Sequence, residues 1–493
     1  MNKQLRHISV AAMILLAVLI VSTTYWQTWA VGDLANRKGN ETALIARITV
    51  DRGKLLAADG TVLANNRVTR KRGLTIYTRH YPLNDLAPQV LGYSTSGATT
   101  GLESAYDAYL TGSNTDLSNS LKHALQLGGA TVHGDNVVLT LRPAVQRLAL
   151  TQLAGRCGAV VAMDAKTGAV YAMASSPTYN ENLIEQLKGY RNITKIKGTC
   201  GDASALQNNA TVGLYPPGST FKMVTAAAAL DSGAYTPSST FNDPGYCTEY
   251  GQRVSNAGNP DQNGPEAFGN VTLAQGFEHS INSVFCNVGM HIGGEKILAY
   301  AKRFGFYSVP PLDTPSNESL ASGLYKNGSL WDPKNPSNVD SGRLAFGQFN
   351  MLATPLQMAL VGATIAHGGV EPKPYLVQKV VAPGGGTVAT TTPQTLGRVL
   401  KPSTAAELNQ MMQLVVQGGT AAGIFPSSLN VAGKTGTAEL GLGTIYDAWF
   451  VCFAPATNPR YVVSVVVQKQ PNGFGASVSA PIAKAILEKL MGG

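Results

Sequence analysis

Three groups of residues in this 493-residue chain could together do nucleophilic chemistry. The first is Ser219, which follows Tyr-Pro-Pro-Gly and stands three places before Lys222. A serine hydroxyl is a weak nucleophile at its own pKa; it needs a base within reach and donors aimed at the oxyanion it creates. Residues three apart on a helix are neighbours, so this spacing sets the Lys222 amine beside the Ser219 hydroxyl. Lys222 becomes such a base if burial lowers its pKa. The second group is Ser280-Ile281-Asn282, a hydroxyl able to relay a proton to a leaving amine and an amide able to hold a substrate carbonyl. The third is Lys434-Thr435-Gly436-Thr437. Lys434 and Thr435 on an edge strand can bind a carboxylate, and Gly436 lets an extended peptide lie close as an added strand. Backbone N–H groups of Ser219 and Thr437 are the expected oxyanion donors. Taken singly, each group has an ordinary explanation: helix caps for the serines and Asn282, solvated charges for the lysines, a bulge for Gly436.

The elements that must carry these groups are legible. Pro216-Pro217-Gly218 predicts a turn, and "TFKMVTAAAALDSG" predicts a helix opening at or near Ser219. Residues 158–175 read as a hairpin of two β-branched runs around "DAKTG". Helical patterns cover 272–290 and 351–367, and loops are expected over 308–342 and 382–397. Near the end, "VAGKTGTAEL", "DAWFVCFAP" and "YVVSVVVQ" read as successive strands, and "APIAKAILEKLM" as a closing helix. This order predicts an α+β fold: an antiparallel sheet of about five strands, the early hairpin pairing with the late strands, flanked by helices. Residues 31–150 hold shorter elements. They include a hairpin around Asp59-Gly60 and a strand turning at Pro143 into a helix.

Ahead of these lies an uncharged apolar run from Ile8 to about Thr24, preceded by Lys3 and Arg6 and followed by Tyr25, Trp26 and Trp29. It is long enough to cross a bilayer, and the positive-inside rule puts the chain after residue 30 outside the cytoplasm. Without a clear A-x-A site, an uncleaved anchor is favoured over a signal peptide. Three parts are expected: 1–30, cytoplasmic tip and transmembrane anchor; 31–150, a small N-terminal non-catalytic domain; 151–493, the catalytic domain. The net charge is +9, yet the basic residues are spread out, without interleaved aromatics or zinc-ligand spacing, so nucleic acid is excluded as a partner. Neither metal nor cofactor is expected. Five cysteines with no C-x-x-C pair leave room for one or two disulfides and at least one free thiol.

The ordered trio S-x-x-K, S-x-N and K-T-G changes the weight of each part, since such a trio marks class A β-lactamases and penicillin-binding proteins. Around it, "YPPGSTFK", "GAVVAMDAKTGAVYAMASSPTYNEN", "FGQFNMLATPLQMA" and "AWFVCFAP" resemble the transpeptidase domain of class B penicillin-binding proteins. "YPLNDLAPQVLGY" and "TGLESAYDAYLTG" resemble their non-catalytic N-terminal pedestal or dimerisation domain, of the actinobacterial penicillin-binding protein A type. The resemblance implies a β-lactamase-like fold and a D,D-transpeptidase that cross-links peptidoglycan stem peptides. Ser219 would be acylated by the penultimate D-Ala of a D-Ala-D-Ala donor, and an amine acceptor would take the acyl group. Lys222 would be the general base, and Ser280 and Asn282 would assist. Lys434 and Thr435 would bind the donor carboxylate beside Gly436 and Thr437, and β-lactam antibiotics would acylate the same serine. Implied partners are the membrane, a polytopic SEDS-type glycosyltransferase and division or elongation proteins. Two departures stand out. Arg52-Gly53-Lys54-Leu55-Leu56 runs on into Ala57-Ala58 where the family carries Asp-Arg, and Asn208-Asn209 replaces Asn-Arg ahead of the nucleophile.

Other activities fit parts of this pattern. A D,D-carboxypeptidase would pass the same acyl-serine to water. A β-lactam hydrolase would need a glutamate to activate that water, and none is assignable. A sensor would keep the fold for binding alone, usually with a cytoplasmic module, and only about seven residues precede the apolar run. The roughly 120 residues between that run and the first catalytic strand are too few for a glycosyltransferase domain, so glycan polymerisation is expected from a partner.

Overall fold

The computed structural model describes residues 2–28, 48–71, 73–113, 131–201, 203–259, 264–335, 338–441 and 444–492. Trp29 and the start of the expected N-terminal domain, through residue 47, lie outside them. Helix α1 (Asn2–Thr28) contains Arg6–Tyr25, with a mean hydropathy of 2.2 and no part buried against the protein, so it is long and apolar enough to cross a membrane.

The N-terminal region is built on β1 (Leu55–Leu56), β2 (Val62–Lys71), β3 (Leu74–His80) and β4 (Asn136–Leu139). β1 and β2 flank the Asp59-Gly60 turn as expected, and β4 runs through Pro143 into α2 (Pro143–Leu153). Two strands from much later in the chain, Val377–Val381 and Thr387–Thr390, complete this six-stranded sheet. The loop expected over 382–397 thus contains the strand Thr387–Thr390, and a second short strand, Thr395–Arg398, pairs elsewhere with Val370–Pro372. Gly384-Gly385-Gly386 closes a hairpin there, with Ala382 N–H donating to Gly386 O, and the threonine-rich run after it suits strand geometry. Beyond the sheet, the altered Arg52 motif finds its own partners. The Arg52 guanidinium donates to Glu103 and Asp107, and Arg79 donates to the other oxygen of Glu103, each at 2.6 Å. Glu103 is fully buried, and the two guanidinium charges outweigh its desolvation and hold its carboxyl below the usual range.

The larger sheet follows the expected topology. β5 (Gly158–Asp164) and β6 (Val170–Ser176) form the early hairpin, and β7 (Ala432–Glu439), β8 (Ile445–Ala454) and β9 (Tyr461–Pro471) the late meander. The order is β7-β8-β9-β5-β6, all antiparallel, with β9 paired to β5 from Tyr461↔Asp164 to Val467↔Gly158. β7, which carries the K-T-G motif, is an edge strand. Val160, Val161, Val463, Val465 and Val466 are fully buried, which explains why the central strands read as continuous β-branched runs.

Helix α3 (Lys222–Asp231) is buried along its whole length, and its Ala226–Ala229 run keeps it thin enough to thread the core. The single helical pattern over 272–290 resolves into α4 (Leu273–Glu278) and α5 (Asn282–Arg303). α6 (Pro355–Ala366) lies against the sheet, where a Cβ on Gly362 would come within 3.2 Å of both Val451 and Val462. α7 (Pro402–Gln417) packs beside β7, and the amphipathic α8 (Ala480–Met491) closes the chain. Within 308–342 the structure adds the short strands Gly323–Lys326 and Ser329–Leu330 to the expected loop. Two disulfides, Cys157–Cys200 and Cys247–Cys286, use four cysteines, and Cys452 is free and buried in β8.

Candidate active site

The turn bearing Ser219 is held from four sides. Tyr215 exchanges backbone hydrogen bonds with Ala353 at 3.1 and 2.9 Å. The Trp449 indole donates to Pro216 O at 2.9 Å, Thr220 Oγ1 donates to Pro217 O at 2.7 Å, and Gly218 N–H donates to Gly347 O at 3.2 Å. Gly218 sits at φ +51°, a conformation that favours glycine. The chain then makes one 3₁₀ turn, Gly218–Phe221, before α3 begins at Lys222 rather than at Ser219. Residues 219 and 222 are thus one turn apart, at i and i+3 across the junction of the 3₁₀ turn with α3. Ser219 is half-buried at this junction.

Lys222 is fully buried. Its Nζ donates to Ser280 O at 2.7 Å and Asn282 Oδ1 at 2.8 Å, with Ser280 Oγ at 3.4 Å. The Phe285 and Phe346 rings stand 5.3 and 5.9 Å away. These acceptors are neutral, so desolvation, reinforced by the nearby Lys434 charge, pushes the Lys222 amine well below its ordinary pKa.

The break between α4 and α5 serves this geometry. α4 opens on a capping box, Thr272 with Gln275, and stops where Ile281 N–H turns back to Gly276 O at 2.8 Å. Ser280 adopts φ +59°, uncommon for a side-chain-bearing residue and of the kind that clusters at functional sites. Asn282 then starts α5, and its Nδ2 donates to Ser255 O at 3.2 Å, which leaves Oδ1 aimed at Lys222.

Lys434 reaches the same hydroxyl from β7. Its Nζ donates to Ser280 Oγ at 2.9 Å and to Thr435 O at 3.1 Å, under the Phe277 ring at 5.5 Å. It too is fully buried, and burial pushes its pKa down to about 7. Thr435 Oγ1 lies 2.6 Å from Thr420 Oγ1, and Thr437 Oγ1 accepts from Gly475 N–H at 3.3 Å. Gly436 also meets a contact inside the protein. A Cβ there would stand 2.8 Å from Thr220 Cγ2 and 2.9 Å from Pro217 O, so the glycine lets β7 press against the nucleophile turn itself.

Lys222, Ser280, Asn282 and Lys434 therefore form one hydrogen-bonded cluster, with Ser219 one turn from Lys222 and Thr435 next to Lys434. Sequence reasoning did not reach Thr420, Ser255, Phe277, Phe346 or Trp449. Only Thr420, after Gly418-Gly419, carried a local signal, that of a tight turn. Asn208 and Asn209, in place of Asn-Arg, tie the lead-in of the nucleophile to β6 through Met173 Sδ, Ser175 Oγ and Ser176 O. A cavity of about 790 Å³ lies in the N-terminal region, lined by Arg52, Asn66, Tyr77, Arg79 and Tyr190, and none of the cluster residues borders it. No group of three metal-ligating side chains occurs among the described residues.

A half-buried serine one turn before a buried lysine, which shares the Ser280 hydroxyl with a second buried lysine on the edge of an antiparallel sheet, points to a class of serine acyl-transfer protein with lysine in place of histidine. Comparison with known proteins narrows the class. The penicillin binding protein transpeptidase domain model matches residues 158–488, and the penicillin binding protein A dimerisation domain model matches residues 52–137. The chain belongs to the penicillin-binding protein transpeptidase family. It is 34% identical to the peptidoglycan D,D-transpeptidase PbpA of Mycolicibacterium smegmatis, across 99% of this chain and 98% of that one. The crystal structure of PBPA from Mycobacterium tuberculosis superposes with a TM-score of 0.77 at 29% identity, covering 90% of this chain and all of the other. The penicillin G acyl-enzyme complex of penicillin-binding protein A from the same organism gives 0.73 at 30% identity, with the same coverage.

Proposed function

We propose that the chain is a peptidoglycan D,D-transpeptidase that works through an acyl-serine at Ser219 and is acylated and inhibited by β-lactams. The observation that carries this reading is the shared Ser280 hydroxyl between the two buried amines of Lys222 and Lys434. In the proposed cycle Lys222, its amine pushed well down by burial, takes the Ser219 proton as the hydroxyl attacks the penultimate D-Ala carbonyl. The proton passes through Ser280 to the amine of the leaving D-Ala. Asn282 orients the donor backbone and holds Lys222 in place. Lys434 and Thr435 bind the terminal carboxylate, while Gly436 and Thr437 line the donor strand. Backbone N–H groups of Ser219 and Thr437 stabilise the oxyanion. An acceptor amine then attacks the ester by the reverse of these steps.

The helix Asn2–Thr28 anchors the protein in the cell membrane by a single span, and the bulk works outside the cytoplasm. We keep the division into anchor over 1–30, N-terminal domain over 31–150 and catalytic domain over 151–493; the family matches over 52–137 and 158–488 support the latter two parts and the apolar helix supports the anchor. A polytopic SEDS-type glycosyltransferase and division or elongation proteins are the proposed partners.

The test is partition of the acyl-enzyme. With an acyl-D-Ala thioester donor and a D-amino acid acceptor, aminolysis outruns hydrolysis and the penicillin adduct persists. Hydrolysis that outruns aminolysis at saturating acceptor points to a carboxypeptidase, and adduct turnover within seconds to a β-lactam hydrolase.

A further inference from the structure

The loop after α7 brings a hydroxyl to the cleft that the mechanism above does not use. Gly418 and Gly419 lie against the end of α4: a Cβ on Gly419 would stand 2.3 Å from Glu278 O, and one on Gly418 would stand 2.9 Å from Glu278 Oε1. Thr420 N–H donates to the same Glu278 carbonyl at 3.2 Å, so the loop is seated on the segment that leads into Ser280. From this seat Thr420 reaches across to β7 and meets Thr435, hydroxyl to hydroxyl, at 2.6 Å.

Two hydroxyls at this distance share one hydrogen, and either can supply it. If Thr435 donates to Thr420, it turns only lone pairs to the cleft and repels a carboxylate. If Thr420 donates, the Thr435 hydrogen is released toward the substrate, and accepting one bond strengthens the bond it gives. We propose that Thr420 is a positioning residue for the donor carboxylate, acting through Thr435. On this view the incoming anion fixes the chain in one direction, Thr420 O–H to Thr435 Oγ1 and Thr435 O–H to the carboxylate. This rests on the reading of Thr435 as a carboxylate ligand.

The experiment uses the full-length protein in detergent with two thioester donors that differ only at the leaving-group end, one a free carboxylate and one its carboxamide. Loss of the neutral hydrogen bond that fixes the Thr435 hydroxyl predicts that Thr420→Val raises KM for the carboxylate donor about fivefold, with kcat within about twofold. The carboxamide donor is unchanged, and Thr420→Ser restores wild-type values. Equal losses on both donors, or none on either, overturn the proposal. A folding defect in Thr420→Val lowers the active fraction, and so the apparent kcat, on both donors alike and leaves KM unchanged, so it neither mimics nor masks the KM shift. Thr435→Val separates the two layers. If it leaves the preference for carboxylate over carboxamide intact, the assignment of Thr435 fails. If it abolishes that preference while Thr420→Val does not reduce it, only the role of Thr420 fails.

Discussion

Lys222 and Lys434 are both fully buried, and both reach the hydroxyl of Ser280. Two amines so placed cannot comfortably carry two charges, and desolvation lowers both pKa values. On the proposed mechanism the labour divides: Lys222, whose amine burial pushes well down, serves as the base, and Lys434 receives the anionic ligand. Acylation should therefore fall as pH drops and Lys222 gains a proton, while KM for a carboxylate donor should rise above about pH 7 as Lys434 loses one. Rates measured across pH 5–9 check both limbs. Lys222→Ala should fold and acylate on the order of 100- to 10,000-fold more slowly, the usual cost of losing a positioned base. Burying Lys434 also costs stability, and the sign is fixed by linkage. Its folded pKa of about 7 lies below the ordinary 10.5, so the unfolded chain binds more protons between those values. Stability then rises with pH across that window. Lys434→Met should reduce this slope, leaving the part due to Lys222, and, at pH 7, stabilise by on the order of 1–4 kcal/mol while abolishing carboxylate binding, as denaturant titrations at pH 7 and 10 would show. At this scale the sequence disclosed residue types and spacing well. It could not disclose that Gly436 faces the enzyme's own turn, because that contact joins segments more than 200 positions apart.

The elements were legible where one periodicity ruled and obscure where local backbone chemistry intervened. The five-stranded sheet, the pairing of its early hairpin with the late strands and the closing helix followed from β-branched runs and an amphipathic pattern. The 272–290 pattern hid a break, because Ser280 in a left-handed conformation is imposed by tertiary contacts to Lys222 and Lys434 and has no glycine to announce it. The strands at 377–390 were missed because the first of them pairs with β4, some 240 residues earlier in the chain. Gly347 tests how tightly the elements grip the nucleophile. It sits at φ +78°, and a Cβ there would come 2.1 Å from Gly218 O. Gly347→Ala should displace the Ser219 turn and cut the acylation rate at least tenfold, with a backbone strain of roughly 1–3 kcal/mol. Far from the cleft, Glu103 is clamped between Arg52 and Arg79. Glu103→Ala leaves two buried guanidinium groups short of a partner and should destabilise by roughly 3–5 kcal/mol in chemical denaturation. Because the Glu103 carboxyl is depressed, its contribution is present above the unfolded pKa and is lost as pH falls through the lower folded value.

As a whole molecule the chain is a catalytic body on an apolar tether, joined to it through a second sheet that borrows two strands from the catalytic segment. The disulfides brace that body at two places, one at the start of β5 and one on α5, a turn beyond Asn282. The tether and the chemistry are separable on this account. Removing residues 1–30 should release the protein from the membrane fraction and leave its acylation rate unchanged within about twofold, since no site residue lies on α1. The claim on which everything else depends is that Ser219 is the acylated nucleophile, and mass mapping of the penicillin adduct tests it most directly. Wild-type protein treated with benzylpenicillin should gain one adduct, carried by the peptide containing Ser219, and Ser219→Ala should gain none. An adduct on another residue, or an equal adduct on Ser219→Ala, would contradict the account.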